Sequence, residues 1–192
     1  MKKKEPKFIS LDKYDITGNC IYSDNRTYML AWDLSENSVV LLKYKELAVN
    51  FRNLLLVSTG DVSNNGISII AGAKNREDKE SEILVFDEKG SKLFSRQVKA
   101  KIYNVGISSN GRIVAFQTFN SMLSEEDNNK LFIADVIRQD ILSSFHCPLD
   151  WADCYQFFDD KIRLYFGKKS VDYSFDGECL EPKKIPTATS LS

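Results

Sequence analysis

Four times along this chain a short apolar run closes on an aspartate: Trp32-Asp33, Phe86-Asp87, Ala134-Asp135 and Phe175-Asp176. A polar turn follows each aspartate, and a second apolar run follows the turn. Successive aspartates are 54, 48 and 41 residues apart. Recurrence at this period marks small antiparallel sheets that cannot bury both faces alone and so stack on one another. That constrains the architecture strongly and the chemistry hardly at all.

Around each aspartate the same grammar is legible. Ser63-Asn64-Asn65-Gly66 and Ser108-Ser109-Asn110-Gly111 are turn clusters, and Gly111 lies 45 residues after Gly66. The Asn-Gly pair favours a hairpin turn whose two central residues need positive φ. Strands are expected over 67–73 and 112–118 after these turns, over 83–86 and 131–134 before the aspartates, and over 92–96 and 141–145 after them. Apolar connecting strands precede the units at 102–107 and 155–158. A further copy runs through 161–166, Gly167-Lys168-Lys169 and 171–175, with Cys179-Leu180 as the last edge. The first copy is the weakest match, with strands near Cys20-Ile21-Tyr22, over 27–32 and over 39–44. Leu47, Phe51 and Leu54 recur at spacings that suit either a short helix or a linking strand. Each unit thus holds about four short strands. One domain is expected over 14–181, with an N-terminal tail at 1–13 and a disordered Pro/Thr/Ser/Lys-rich tail at 182–192.

Bulk properties exclude several classes. The 26 basic and 27 acidic residues are dispersed, so no basic stripe suits nucleic acid. The lysines at 2–4 and 7 and at 183–184 read as solvated tails. No apolar run approaches the ~18 residues of a membrane-spanning helix, and 8–12 makes no signal-peptide core. A cytoplasmic chain without membrane contact is therefore expected. The sequon Asn25-Arg26-Thr27 reads as a chance match. Cys20, Cys147, Cys154 and Cys179 fit no zinc or redox spacing and read as free thiols.

The search for chemistry is brief. Nucleotide-binding glycine motifs and a nucleophile elbow are absent, and His146 is the single histidine. The densest constellation is His146-Cys147-Pro148-Leu149-Asp150-Trp151-Ala152-Asp153-Cys154. His146, Cys147 and Cys154 could ligate zinc through imidazole and thiolate, or Cys and His could form a nucleophilic pair. The simpler reading is a loop with a buried thiol and an anchoring Trp. Glu125-Glu126-Asp127 and Asp159-Asp160 read as exposed turns rather than catalytic dyads. The aromatics Tyr155, Phe157, Phe158, Tyr165 and Phe166 read as core. No cofactor and no catalysis are expected.

The Ser-x-x-Gly turn, the strand after it and the strand ending in aromatic-Asp resemble the blades of a β-propeller of the WD40-like kind. The matching pieces are 63–87 and 108–135, and Trp32-Asp33 is the one literal Trp-Asp pair. The likeness spans roughly 14–180. The family's Gly-His pair is missing, so the hydrogen-bond network built on that histidine is not carried over. The resemblance implies an all-β fold of antiparallel four-stranded blades stacked as a small or partial propeller. At ~40–45 residues per blade, four blades fit. They could form a closed ring, an open arc, or an arc completed by a second copy as a homodimer. The functional expectation is a protein-binding module acting through its loops. The candidate contacts are Lys74, Arg76, Glu77 and Asp78, then Glu125, Glu126 and Asp127, then Asp150, Trp151 and Asp153. One alternative is an immunity-type inhibitor whose acidic loops cap a basic toxin. Another is a metal or catalytic site over 146–154.

Overall fold

A computed structural model describes residues 6–33, 35, 37–147 and 151–180. Among them the chain forms sixteen strands in four antiparallel sheets, each strand paired with its sequence neighbours. Sheet I holds β1 (Lys7–Leu11), β2 (Ile16–Tyr22), β3 (Tyr28–Asp33), β4 (Ser38–Lys43) and β5 (Glu46–Arg52). Sheet II holds β6 (Leu56–Val62), β7 (Ser68–Ala73), β8 (Ser81–Phe86) and β9 (Lys92–Val98). Sheet III holds β10 (Ile102–Ile107), β11 (Ile113–Thr118), β12 (Lys130–Asp135) and β13 (Asp140–His146). Sheet IV holds β14 (Cys154–Phe157), β15 (Lys161–Phe166) and β16 (Lys169–Ser174), with one further bridge from Tyr173 to Cys179.

The sheets stack in chain order, and the sequence shows why. Side chains alternate across a strand, yet β3, β7 and β11 are buried at every position. Both of their faces must therefore be covered. Tyr28, Leu30 and Trp32 of sheet I meet Val57, Ile70, Leu84 and Phe86 of sheet II in a first core. Ile69, Ala71, Ile83 and Val85 turn the other way, onto Val114, Phe116, Phe132 and Ala134 of sheet III. Ile113, Ala115, Leu131 and Ile133 then meet Ile162, Leu164, Val171 and Tyr173 of sheet IV. Each core is sealed only by stacking, which is why the strands read as continuous apolar runs.

The outer faces of the stack differ. On sheet I, Ile16, Cys20, Met29, Ala31, Val40 and Leu42 are buried, and Ile9, Leu11 and Tyr14 pack against them. On sheet IV the outward face is polar. Asp172 receives Lys161 Nζ at 2.8 Å, Arg163 Nε at 2.6 Å and Arg163 Nη2 at 2.9 Å.

Several expectations change. Residues 7–11, expected in the N-terminal tail, form β1 and pair with β2, because Ile9 and Leu11 supply apolar cover to sheet I. Of the two alternatives left open for this stretch, residues 46–52 take the strand, paired with β4 from Ser38↔Arg52 onward. In the Asn65-Gly66 turn only Gly66 has positive φ (86°), not both central residues. Gly66 N–H donates to the Ser63 carbonyl and Ser63 N–H to the Ile67 carbonyl, a three-residue hairpin loop with its left-handed residue last. The fourth aspartate, Asp176, stands two residues out of register with Asp87. Asp87 accepts from Gly90 N–H on its carbonyl and donates its own N–H to Ser91. Ser174 makes the equivalent bonds with Gly177 and Glu178, so Ser174 occupies the aspartate's place and Asp176 sits on the exposed turn. The tail over 182–192 and residues 1–5 lie outside the described residues.

Candidate partner-binding face

In an antiparallel meander alternate hairpins fall at opposite ends. The β2–β3, β6–β7 and β10–β11 turns therefore share one end, here the turn end, with the aspartate turns after β8 and β12, whereas Asp33 follows the strand after the first of these turns and so falls at the opposite end. The loops over 74–80 and 119–129 share the other, the loop end, with the link over 99–101 and the residues 151–153 that lead into β14.

The turn end bonds most of its own polar groups, Ser68 Oγ at the start of β7 being buried without a partner. Ser23, Ser63 and Ser108 each donate Oγ–H to the Oδ1 of the Asn two residues on, at 2.8, 2.5 and 2.8 Å. Tyr28 N–H and Ile113 N–H donate to Ser23 Oγ (3.0 Å) and Ser108 Oγ (2.9 Å). The three turns then bond one another: Asn25 N–H to Asn64 Oδ1 (2.9 Å), Asn65 Nδ2 to the Asn110 carbonyl (2.9 Å) and Ser109 Oγ to Asp24 Oδ2 (2.8 Å). Beneath them the buried Asp61 accepts Ile107 N–H from the next sheet at 3.1 Å. The aspartate turns after β8 and β12 follow suit, and so, at the loop end, does Asp33, whose Oδ1 accepts from Ser35 N–H and Oδ2 from Thr17 N–H at the start of β2. Asp87 Oδ1 accepts from Lys89 and Ser91 N–H. Asp135 accepts from Ile137 and Arg138 N–H and from Arg112 Nε. Burial alone would raise the Asp135 carboxyl; the Arg138 N–H and the Arg112 guanidinium outweigh it and hold the carboxyl below its ordinary range.

The loop end presents groups instead of consuming them. Tyr103, Phe119 and Trp151 converge there from β10, the loop after β11 and the link before β14. The Tyr103 and Phe119 rings meet edge-on at 5.1 Å, and Trp151 lies 5.3 Å from Phe119 and 5.7 Å from Tyr103. Trp151 Nε1 donates to the Thr118 carbonyl at 3.1 Å, which fixes the indole on a strand end. Tyr103 and Phe119 are exposed, and Met122 and Leu123 beside them are exposed as well. An open cleft of about 480 Å³ lies between sheets II and III. Val57, Ala73 and Ile102 form its buried floor, Arg76, Lys101 and Phe119 its rim. Lys101 Nζ is held by the Asp78 carbonyl.

The structure sorts the sequence-derived contacts. Lys74, Arg76 and Glu77 are exposed on the 74–80 loop, with Asp78 half-buried; Asp78 Oδ2 accepts Asn75 N–H. Glu125 and Glu126 are exposed. Asp127 is not a surface contact: it is 7% exposed, and its Oδ2 accepts Lys99 N–H at 2.8 Å. Its side chain is consumed in anchoring the 119–129 loop to the link before β10. Trp151 is half-buried in the aromatic cluster. Asp153 is exposed, but its carboxylate accepts Gly167 N–H at 2.6 Å. Asp150 lies outside the described residues. Sequence reading placed a candidate contact loop over 121–130, which contains Met122 and Leu123, but missed Lys101, Tyr103 and Phe119. The signal available was an apolar Phe119 and Met122-Leu123 inside an otherwise polar loop.

Among the described residues of the 146–154 segment, His146, Cys147 and Cys154 are not gathered as a ligand set. His146 Nδ1 lies 2.9 Å from the Asn129 carbonyl on an exposed strand end. Cys147 is buried, and burial pushes its thiol up to about 12, which disfavours a nucleophilic thiolate. Among the described residues no three of His, Cys, Asp and Glu stand together as metal ligands.

No family model matches this chain, and no curated protein matches it in sequence. Solved structures do match in fold. Hydrazine synthase of Kuenenia stuttgartiensis superposes over 83% of this chain and 46% of its own, with TM-score 0.55 and 13% identity. BamB from Moraxella catarrhalis covers 92% of this chain and 51% of its own, with TM-score 0.61 and 11% identity. The Dos1 propeller covers 86% and 42%, with TM-score 0.56 and 10% identity. These neighbours are propellers, so the four sheets are blades of a partial β-propeller. The chain spans about half the length of the structures it matches. At these identities the likeness is one of fold.

Proposed function

We propose that this chain is a non-catalytic protein-interaction module that grips its partner with the loop end. The observation that carries this reading is the cluster of exposed Tyr103 and Phe119 on half-buried Trp151, with Met122 and Leu123 exposed on the same loop as Phe119. Aromatic, Met and Arg side chains are enriched in the cores of protein interfaces. Here they stand on strand ends and on a loop tied down by Asp127, so little ordering entropy opposes binding. Propeller folds host many functions, so the argument rests on the site and not on the architecture. No described helix is long and apolar enough to cross a membrane. A cytoplasmic location belongs to the same proposal.

The module is proposed to act as a single copy. A second copy completing the ring would have to desolvate the Lys161–Asp172–Arg163 ion pairs on the outer face of sheet IV, which opposes such a contact. The toxin-capping alternative needs an acidic face. The loop end instead mixes Glu77, Glu80, Glu125 and Glu126 with Lys74, Arg76, Lys79, Lys99 and Lys101, so electrostatics do not favour that reading.

The test is affinity capture from the source cells with two matched variants. Tyr103→Ser/Phe119→Ser/Met122→Ser should lose the captured partner, while Asn65→Ala/Ser109→Ala should keep it. Equal capture by both variants contradicts the proposal.

A further inference from the structure

We propose that the cleft between the second and third blades receives an acidic, apolar-bearing peptide segment of the partner. The apolar side chain enters the cleft against Phe119 while a neighbouring carboxylate meets Arg76 and Lys101. This deepens the reading above and rests on it. Two cations and no carboxylate line the cleft. Arg76 forms no ion pair among the described residues and stands exposed on the rim. The Lys101 ammonium is held in place by a neutral acceptor, the Asp78 carbonyl, so its charge is positioned but not neutralised. An arginine fork and a lysine point charge on one rim favour a carboxylate.

The floor selects the rest of the ligand. Val57, Ala73 and Ile102 are buried and apolar, and Ser58, Asn75 and Ser81 supply polar edges. A cleft of about 480 Å³ has room for one large side chain. Phe119 lines the cleft and also belongs to the aromatic cluster, so cleft and cluster form one strip. An anion alone would leave that strip unused; an extended peptide covers it. Glu77, Asp78 and Glu80 lie on the neighbouring loop outside the cleft lining, the Asp78 carboxylate bonded to Asn75 N–H, and they repel acidic segments placed off register.

The experiment is selection from a random-peptide display library on the full chain, with affinities of enriched peptides measured by fluorescence anisotropy. The selected peptides should share a carboxylate close to a large apolar side chain. Arg76→Glu/Lys101→Glu should weaken them about tenfold or more, because it places like charges together. Arg76→Ala/Lys101→Ala should weaken them less, and both variants should keep the wild-type circular dichroism spectrum. Added salt should weaken binding further. The proposal is overturned if no peptides are enriched, if they lack carboxylates, if lysine-for-glutamate versions bind equally, or if both charge variants bind like wild type. It is also overturned if removal of the apolar side chain costs nothing, which would leave a simple anion site. Sedimentation shows whether a second copy is the occupant: a dimer lost in Arg76→Glu/Lys101→Glu would overturn the peptide assignment. If the cellular partner is still captured by that variant but lost with Tyr103→Ser/Phe119→Ser/Met122→Ser, the loop-end reading survives and the acidic-peptide proposal falls.

Discussion

The two ends of the blades are built from the same strands and put to opposite uses. At the turn end, Ser, Asn and Asp side chains are spent on backbone N–H groups and on one another, and neighbouring turns are tied together. At the loop end, Tyr103, Phe119, Met122 and Leu123 are exposed, and Arg76 forms no ion pair among the described residues. The difference teaches that polar residue content alone does not mark a binding face. What matters is whether the polar and apolar groups already have partners.

If that contrast is right, substitutions at the turn end cost stability and spare binding, whereas those at the loop end do the reverse. The largest effect is expected at Gly66. Its φ is +86°, and a Cβ there would lie 2.6 Å from the Tyr28 ring and 2.9 Å from Glu88 Cβ. Gly66→Ala combines left-handed strain with a clash and should cost about 3 kcal/mol, read by urea unfolding. Asp61→Ala comes next. It strips the Ile107 N–H of its buried acceptor and should cost about 2–3 kcal/mol on the same measurement. Neither variant, measured well below its unfolding midpoint, should change affinity for a selected peptide.

At the loop end, Tyr103→Ala should lower unfolding free energy by no more than about 1 kcal/mol, since the ring is exposed, and weaken peptide binding about tenfold. A stability loss as large as that of Gly66→Ala would erase the distinction between the ends.

Acid should act on the turn end first. Burial would raise Asp87 and Asp135, but the N–H groups of Ser91 and Lys89, and the Arg138 N–H with Arg112, outweigh it and hold both carboxyls below their ordinary range. Asp172 is held lower still, chiefly by Arg163. With folded values depressed, the unfolded chain binds more protons in the acid range, so stability rises with pH there. The contribution of these groups is complete above the ordinary carboxylate range, near pH 4, and is lost as pH falls toward the folded values. Hydrogen exchange from pH 6 down to 3, corrected for intrinsic rates, should show protection falling around Asp87 and Asp135 before it falls in β7 and β11. Uniform loss would contradict the local account. The smallest effect expected concerns Cys147, whose raised pKa should leave it unalkylated in the native protein at pH 8 while the exposed Cys179 reacts.

Much of the fold was legible because it is local. The strands over 102–107 and 161–166 fall where the apolar runs place them. The aspartates at 33, 87 and 135 bond their own turns, as the recurring pairs imply. The fourth aspartate misled because Phe175-Asp176 copies the dipeptide while Ser174 makes the bonds. The first repeat was obscured because Arg26, with φ 59°, stands where Gly66 and Gly111 stand in the next two. β1 was hidden by its charged surroundings and shows only through its pairing with β2. The candidate site was least legible. Its three rings come from residues 103, 119 and 151, and no local pattern encodes a contact across such separations. Asp127 was misread for the converse reason: an acidic triplet looks solvated until the fold buries one member.

The most direct test of a self-satisfied turn end opposite a partner-binding loop end is site-specific photo-crosslinking in the source cells. A photoreactive residue replaces Met122 at the loop end or Glu88 at the turn end, both exposed. The account expects one discrete protein adduct through position 122 and none through position 88. An adduct through position 88 with none through position 122 would contradict it.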